Sequence, residues 1–168
     1  MKNSDQHRIY QRTVLDTPVI TPLLRALAGL GLRLSGWQIG GQRPTEKKYV
    51  MIAVPHTTNW EVPVTLCILM ILRVKAYWFG KQEMFRFPFG GLMRWLGGIP
   101  VDRSRNRNMV GAMAAVFDES AELVVIIPPE GSRSLVNCWK TGFYRIAEQA
   151  GVPVACGYLD YSRKSGGI

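Results

Sequence analysis

His56 and Glu61 are the residues of this chain best placed to move a proton, in the run Pro55-His56-Thr57-Thr58-Asn59-Trp60-Glu61 between two apolar segments. An imidazole changes charge near neutral pH, and a carboxylate accepts its ring hydrogen. The only other histidine, His7, lies in a polar tail, so His56 is the candidate wherever an imidazole is needed. Two further polar knots occur, one at Val101-Asp102-Arg103-Ser104 and one at Pro128-Pro129-Glu130-Gly131-Ser132-Arg133. Singly, each is a weak signal: a lone histidine is usually a hydrogen-bonded structural residue, an arginine after a strand is usually solvated, and Pro-Glu-Gly is usually a turn.

All three knots follow apolar runs that read as strands. Residues 49–54 form the first and 123–127 a fully apolar last, and between them 97–104 read as a short strand and loop. Where helices cross between the strands of a sheet, reactive side chains gather beyond the carboxyl ends of the strands, which is where the knots fall. Five residues apart on one helix, His56 and Glu61 would point about 140° from each other. His56 is therefore expected in a loop and Glu61 in the first turn of a helix over 62–72, where a carboxylate suits the helix dipole. That helix is apolar throughout, hence buried or membrane-facing.

The other elements follow by period and punctuation. Residues 1–17 read as a flexible arm, and 18–168 as a single domain, a size that can bury a real core. Thr21-Pro22 opens a helix over 23–34, threonine as cap and proline in its first turn. Arg25 and Arg33 fall on one side of it. An apolar helix with a narrow cationic edge fits a membrane interface, arginines toward lipid phosphates; a helix packed on the core with two snorkelling arginines fits as well. A first strand is expected within 35–43 and another over 74–79. Residues 83–96 are expected to be helical in parts, interrupted at Pro88 and Gly90-Gly91, with most of their apolar residues in the core. Asn108 caps a helix whose apolar positions run from Met109 to Phe117. A helix from Thr141 closes at Gly151, and 152–158 is the last strand. Strands alternating with helices make the fold α/β, with a mainly parallel central sheet flanked by helices and an N-terminal amphipathic, apolar helix.

Composition narrows the partners. The net charge of +9 suggests an anionic partner, and it is local: 1–48 carry +5, 49–85 carry +1, 86–107 carry +4 and 108–168 carry −1. Three scattered cysteines, Cys67, Cys138 and Cys156, suggest neither a disulfide framework nor a metal site. No secretory signal is apparent, and no apolar stretch reaches the roughly 20 residues of a membrane span.

In order and position, the knots resemble the conserved blocks of the glycerolipid acyltransferase superfamily, the lysophosphatidic acid acyltransferase-like family. Its first block, His, four residues, Asp, is similar to His56 through Glu61, with glutamate one methylene longer than the usual aspartate. Its second, a glycine-rich approach to an arginine, resembles Gly97-Gly98-Ile99-Pro100-Val101-Asp102-Arg103. Its third, Phe-Pro-Glu-Gly-Thr-Arg, resembles Pro128-Pro129-Glu130-Gly131-Ser132-Arg133, and its fourth resembles Val152-Pro153-Val154. The blocks span residues 55–154. Members of that family generally continue beyond the fourth block, which leaves a C-terminal truncation after Ile168 open.

The resemblance implies transfer of a fatty acyl group from acyl-CoA or acyl carrier protein to a hydroxyl, first among the acceptors being 1-acylglycerol 3-phosphate. A thioester is already activated, so what is lacking is a deprotonated hydroxyl. His56 is the implied general base, with Glu61 fixing its tautomer. Arg103, Glu130, Gly131, Ser132 and Arg133 are the implied site for the acceptor phosphate. No permanently bound cofactor and no metal are expected, and the expected place is peripheral, on the cytoplasmic side of a membrane, with Arg25 and Arg33 as membrane-facing candidates. Another lipid or a glycolipid hydroxyl is the alternative acceptor, and a catalytically idle membrane-surface protein of the same fold is the alternative to an enzyme. Nucleic acid is not an expected partner, because the charge is not gathered along one element and no binding motif occurs.

Overall fold

The computed structural model describes residues 12–58, 60–101 and 109–168. Its centre is a seven-stranded sheet built from β1 (Gln38–Gly40), β2 (Lys48–Val54), β3 (Ala76–Lys81), β4 (Gly98–Val101), β5 (Leu123–Ile127), β6 (Val154–Asp160) and β7 (Ser165–Gly167). The strand order is β1-β7-β6-β2-β5-β3-β4. Every pairing is parallel except β6 with β7. The helices are α1 (Ile20–Leu34), α2 (Glu61–Leu72), α3 (Gly90–Trp95), α4 (Met109–Glu119) and α5 (Gly142–Ala150).

β5, and β2 from Tyr49 onward, are continuous apolar runs because both of their faces are covered. Successive β2 side chains point to opposite faces. Val50 joins Phe117 of α4 and Ile146 of α5 on one side, while Tyr49 and Met51 join Leu69 of α2 on the other. α2 is apolar all round because α1 covers its outer face: Met70 packs with Ala28, and Ile68 with Leu32. Ile68, Leu69 and Met70 are buried in this way, while Val62 in the first turn stays exposed. No helix among the described residues is long and apolar enough to cross a membrane.

Several local expectations are corrected. The segment before α1 is fastened to the domain from residue 13 onward: Thr13 and Val14 are buried, and the Val14 N–H donates to Trp95 O at 2.7 Å. Residues 1–11 of the expected arm, and Asn108 with its expected cap, lie outside the described residues. Thr21 does not cap α1; its hydroxyl donates to Val14 O at 2.9 Å and ties the helix to that segment. Residues 83–96 divide evenly rather than packing mostly inward. Phe85 is buried and Trp95 and Leu96 join the core, but Met84, Phe87, Phe89 and Leu92 are exposed. The strand at 152–158 is not the last; β7 turns back antiparallel to β6 and closes against β1.

Arg25, expected on the lipid side of α1, is half-buried and turned to the protein, its Nε donating to Met70 O at 2.7 Å in the last turn of α2. A cation there adds a second donor to a last-turn carbonyl whose other partner is the C-cap Arg73 N–H at 3.3 Å. Arg25→Met should therefore lower stability by about 1.5–3 kcal/mol, the range for a hydrogen bond to a charged group. Chemical denaturation measures it. Equal stability with weakened vesicle binding would show that Arg25 faces lipid after all. Arg33 is exposed.

Candidate active site

The loop between β2 and α2 holds His56 as the spacing predicts, and Glu61 is the first residue of the helix. The chain reverses between them, so the side chains meet: His56 Nδ1 lies 2.8 Å from Glu61 Oε2. The additional methylene of glutamate does not prevent the contact. Glu61 is 5% exposed, and such a group needs partners to remain charged. It has them. Its Oε1 accepts from the Thr57 N–H, from the Thr58 N–H at 2.7 Å and from the Thr57 hydroxyl at 2.9 Å. Burial pushes the Glu61 carboxyl up, but these bonds and the His56 ring outweigh it and hold the carboxyl below its ordinary value. Glu61 is then an acceptor only, so His56 Nδ1 must carry the shared hydrogen. In the neutral ring the lone pair is then on Nε2, which makes no hydrogen bond among the described residues, and the ring stays 25% exposed.

The second knot joins this one through the sheet. β2 and β5 are parallel neighbours with Ile52 opposite Ile127, so the loops that leave them emerge side by side. Glu130 Oε1 accepts from the His56 backbone N–H at 3.1 Å. The second oxygen, Oε2, is buried and without a hydrogen-bond partner among the described residues. Gly131 follows at φ +64°, a left-handed conformation that glycine adopts without strain. Ser132 and Arg133 are exposed beyond it, and Arg133 forms no ion pair among the described residues. β4 ends at Val101, beside Lys81 at the same edge of the sheet, but Arg103 lies outside the described residues.

His56, Glu61 and Glu130 are therefore in one network, and Arg133 stands three residues from it. Sequence reading missed Thr57 and Thr58, whose amides hold Glu61. The signal was present: Thr58-Asn59-Trp60-Glu61 has the spacing of a capping box, in which the fourth residue reaches back to the first N–H. It also missed Lys140, whose side chain lies across Gly131 and which belongs to none of the blocks. No group of metal-ligating side chains occurs among the described residues. A recess of about 40 Å³ behind Glu61, lined by Met51, Thr65, Ile68 and Leu159 among others, is far smaller than the several hundred Å³ of a ligand pocket.

Residues 38–158 match the sequence model of a family described as Acyltransferase. No curated protein and no solved structure matches the chain. The matched stretch runs from β1 into β6, most of the chain, and includes His56, Glu61, Glu130 and Arg133. The chain thus belongs to the acyltransferase family, within the glycerolipid acyltransferase superfamily.

Proposed function

We propose that this acyltransferase moves a fatty acyl group from acyl-CoA or acyl carrier protein to the hydroxyl of a lysophospholipid, first of all 1-acylglycerol 3-phosphate. The observation that carries the reading is the 2.8 Å pair of His56 Nδ1 with the buried Glu61 carboxylate, at the end of a central strand. Nε2 takes the proton of the acceptor hydroxyl as its oxygen attacks the thioester carbonyl. The C–S bond then breaks, and the imidazolium returns the proton to the departing thiolate. Glu61 steadies the imidazolium in between, the part an acidic partner plays beside histidine in hydrolase triads. Arg103 and Arg133 hold the acceptor phosphate, with Glu130, Gly131 and Ser132 shaping the turn around it.

The reading extends to a peripheral site at a membrane, on the cytoplasmic side. Ile20, Leu23, Leu27, Leu30 and Leu34 recur at helical spacing along α1, and all are between 44% and 78% exposed. A stripe of that length fits an interfacial helix, with Arg33 at its end to meet lipid phosphates. Replacing Leu23, Leu27 and Leu30 together by glutamate should weaken binding to vesicles containing anionic phospholipid by at least about tenfold, since burying one leucine is worth about 1.5–3 kcal/mol. Vesicle co-sedimentation measures it; unchanged binding would rule out α1 as the contact.

Thiol release tests the activity, with a series of acyl-CoA donors and acylated carrier protein, each with 1-acylglycerol 3-phosphate, glycerol 3-phosphate, a glycolipid or no acceptor. Release that requires 1-acylglycerol 3-phosphate and yields the diacyl product is expected. A requirement for another acceptor would replace the substrate, release without acceptor would mean thioester hydrolysis, and vesicle binding with no release would mean an idle surface protein.

A further inference from the structure

Lys140 belongs to none of the sequence blocks, yet the fold lays it against the second knot. Its backbone N–H donates to Pro129 O at 2.8 Å, which closes the segment from 129 to 140 on itself beside Glu130. Its side chain folds back over the turn: a Cβ on Gly131 would stand 2.8 Å from both Lys140 Cδ and Lys140 Nζ. Glycine at 131 therefore does two things, allowing the positive φ and leaving room for the lysine. Lys140 is exposed, and its ammonium has no carboxylate or carbonyl partner among the described residues. A lysine held across a turn without an acidic partner is a cation left available to a ligand. The turn it crosses separates Glu130, bonded to the His56 amide, from Arg133, which is also without an ion pair.

We infer that Lys140 is a further binding residue for the phosphate of the acceptor, acting with Arg133. The inference rests on the reading of the site given above. A lysine offers a mobile point charge where arginine offers a planar fork, so the two together can follow a phosphate on a flexible glycerol better than either alone. One charge-assisted hydrogen bond corresponds to about a tenfold change in affinity or more.

The test compares wild type, Lys140→Ala and Lys140→Arg in two measurements, with unchanged melting temperature as the check on folding. Calorimetric titration with glycerol 3-phosphate reads binding without turnover, and initial rates with 1-acylglycerol 3-phosphate give KM for acceptor and donor separately. Lys140→Ala should weaken glycerol 3-phosphate binding and raise the acceptor KM about tenfold, leaving kcat and the donor KM within about twofold. Lys140→Arg should recover most of the loss. Unchanged binding and acceptor KM in Lys140→Ala would overturn the inference, as would a rise confined to the donor KM, which would move Lys140 to the phosphates of the donor. Wild type that binds glycerol 3-phosphate but transfers nothing would refute the proposed reaction while the titration still decides on Lys140. Wild type that neither binds nor acylates a phosphate monoester would overturn both.

Discussion

His56→Ala is expected to lower acceptor-dependent thiol release by about 10²- to 10⁴-fold, the range of a lost general base. The loss should fall on kcat, because the imidazole acts on the reacting hydroxyl and is not needed to hold the acceptor phosphate. The fold should survive: the ring is part-exposed, and the backbone N–H that bonds Glu130 is kept by alanine. What the variant leaves behind is a buried Glu61 that has lost one of its partners, so a small drop in stability accompanies the loss of rate. Single-turnover measurement with a preformed complex of enzyme and donor separates chemistry from product release. A variant that retains more than a tenth of the wild-type single-turnover rate would exclude His56 as the base.

Glu61→Gln is expected to have the second-largest effect, roughly 10²-fold or more on kcat, together with a stability change whose pH dependence has a definite sign. The amide is neutral and can present either an oxygen or an NH₂ to His56, so it neither enforces the Nδ1–H tautomer nor stabilises the imidazolium. The stability argument begins from the wild-type carboxyl. Burial raises it, but hydrogen bonds from Thr57, Thr58 and His56 leave it net below its ordinary value. A carboxyl depressed in the folded protein contributes stability above the ordinary glutamate range and loses that contribution as pH falls through the folded value. Wild type should exceed Glu61→Gln most in denaturation midpoint at neutral pH, and the gap should narrow progressively in acid. A gap that is constant with pH, or that widens in acid, would show that Glu61 is not held ionised. Full activity in Glu61→Gln would remove it from the mechanism without touching the case for His56.

Both effects trace to local features that can be read along the chain. The apolar run 49–54 ends where Pro55 begins the polar loop, and Glu61 opens the apolar helix; the spacing of five already required one residue in the loop and the other in the helix. That placement is a matter of helical geometry, which acts over a few residues. The same holds for the strand Leu123–Ile127, for α5 closing at Gly151 with φ +62°, and for the α/β alternation. Less was legible where a short element depends on a neighbour. β1 is three residues within the expected 35–43, and β7 is the three residues Ser-Gly-Gly. Neither has a β-rich sequence; each is held by pairing with the other.

By itself, then, the sequence determined the class of fold, the strand-end position of His56, the first-turn position of Glu61 and, through its ordered blocks, the acyltransferase family. Tertiary structure alone decided which knots touch. Glu130 reaches the His56 amide across 74 residues of chain because β5 lies beside β2 in the sheet, and an apolar run states that it will be buried without stating its neighbour. It decided the direction of Arg25 as well, since a cation on an apolar helix serves lipid phosphates or a helix-end carbonyl equally well until α2 is packed against it. It exposed Phe87 and Phe89 while burying Phe85, three aromatics whose two-residue spacing carries no sign of which side faces out. And it folded Lys140 over Gly131, a contact made by a loop that closes on Pro129 and by no pattern along the chain. Periodicity reports how the backbone repeats within an element; the partner of each element depends on strand order and loop closure, which are set by packing between segments far apart in sequence.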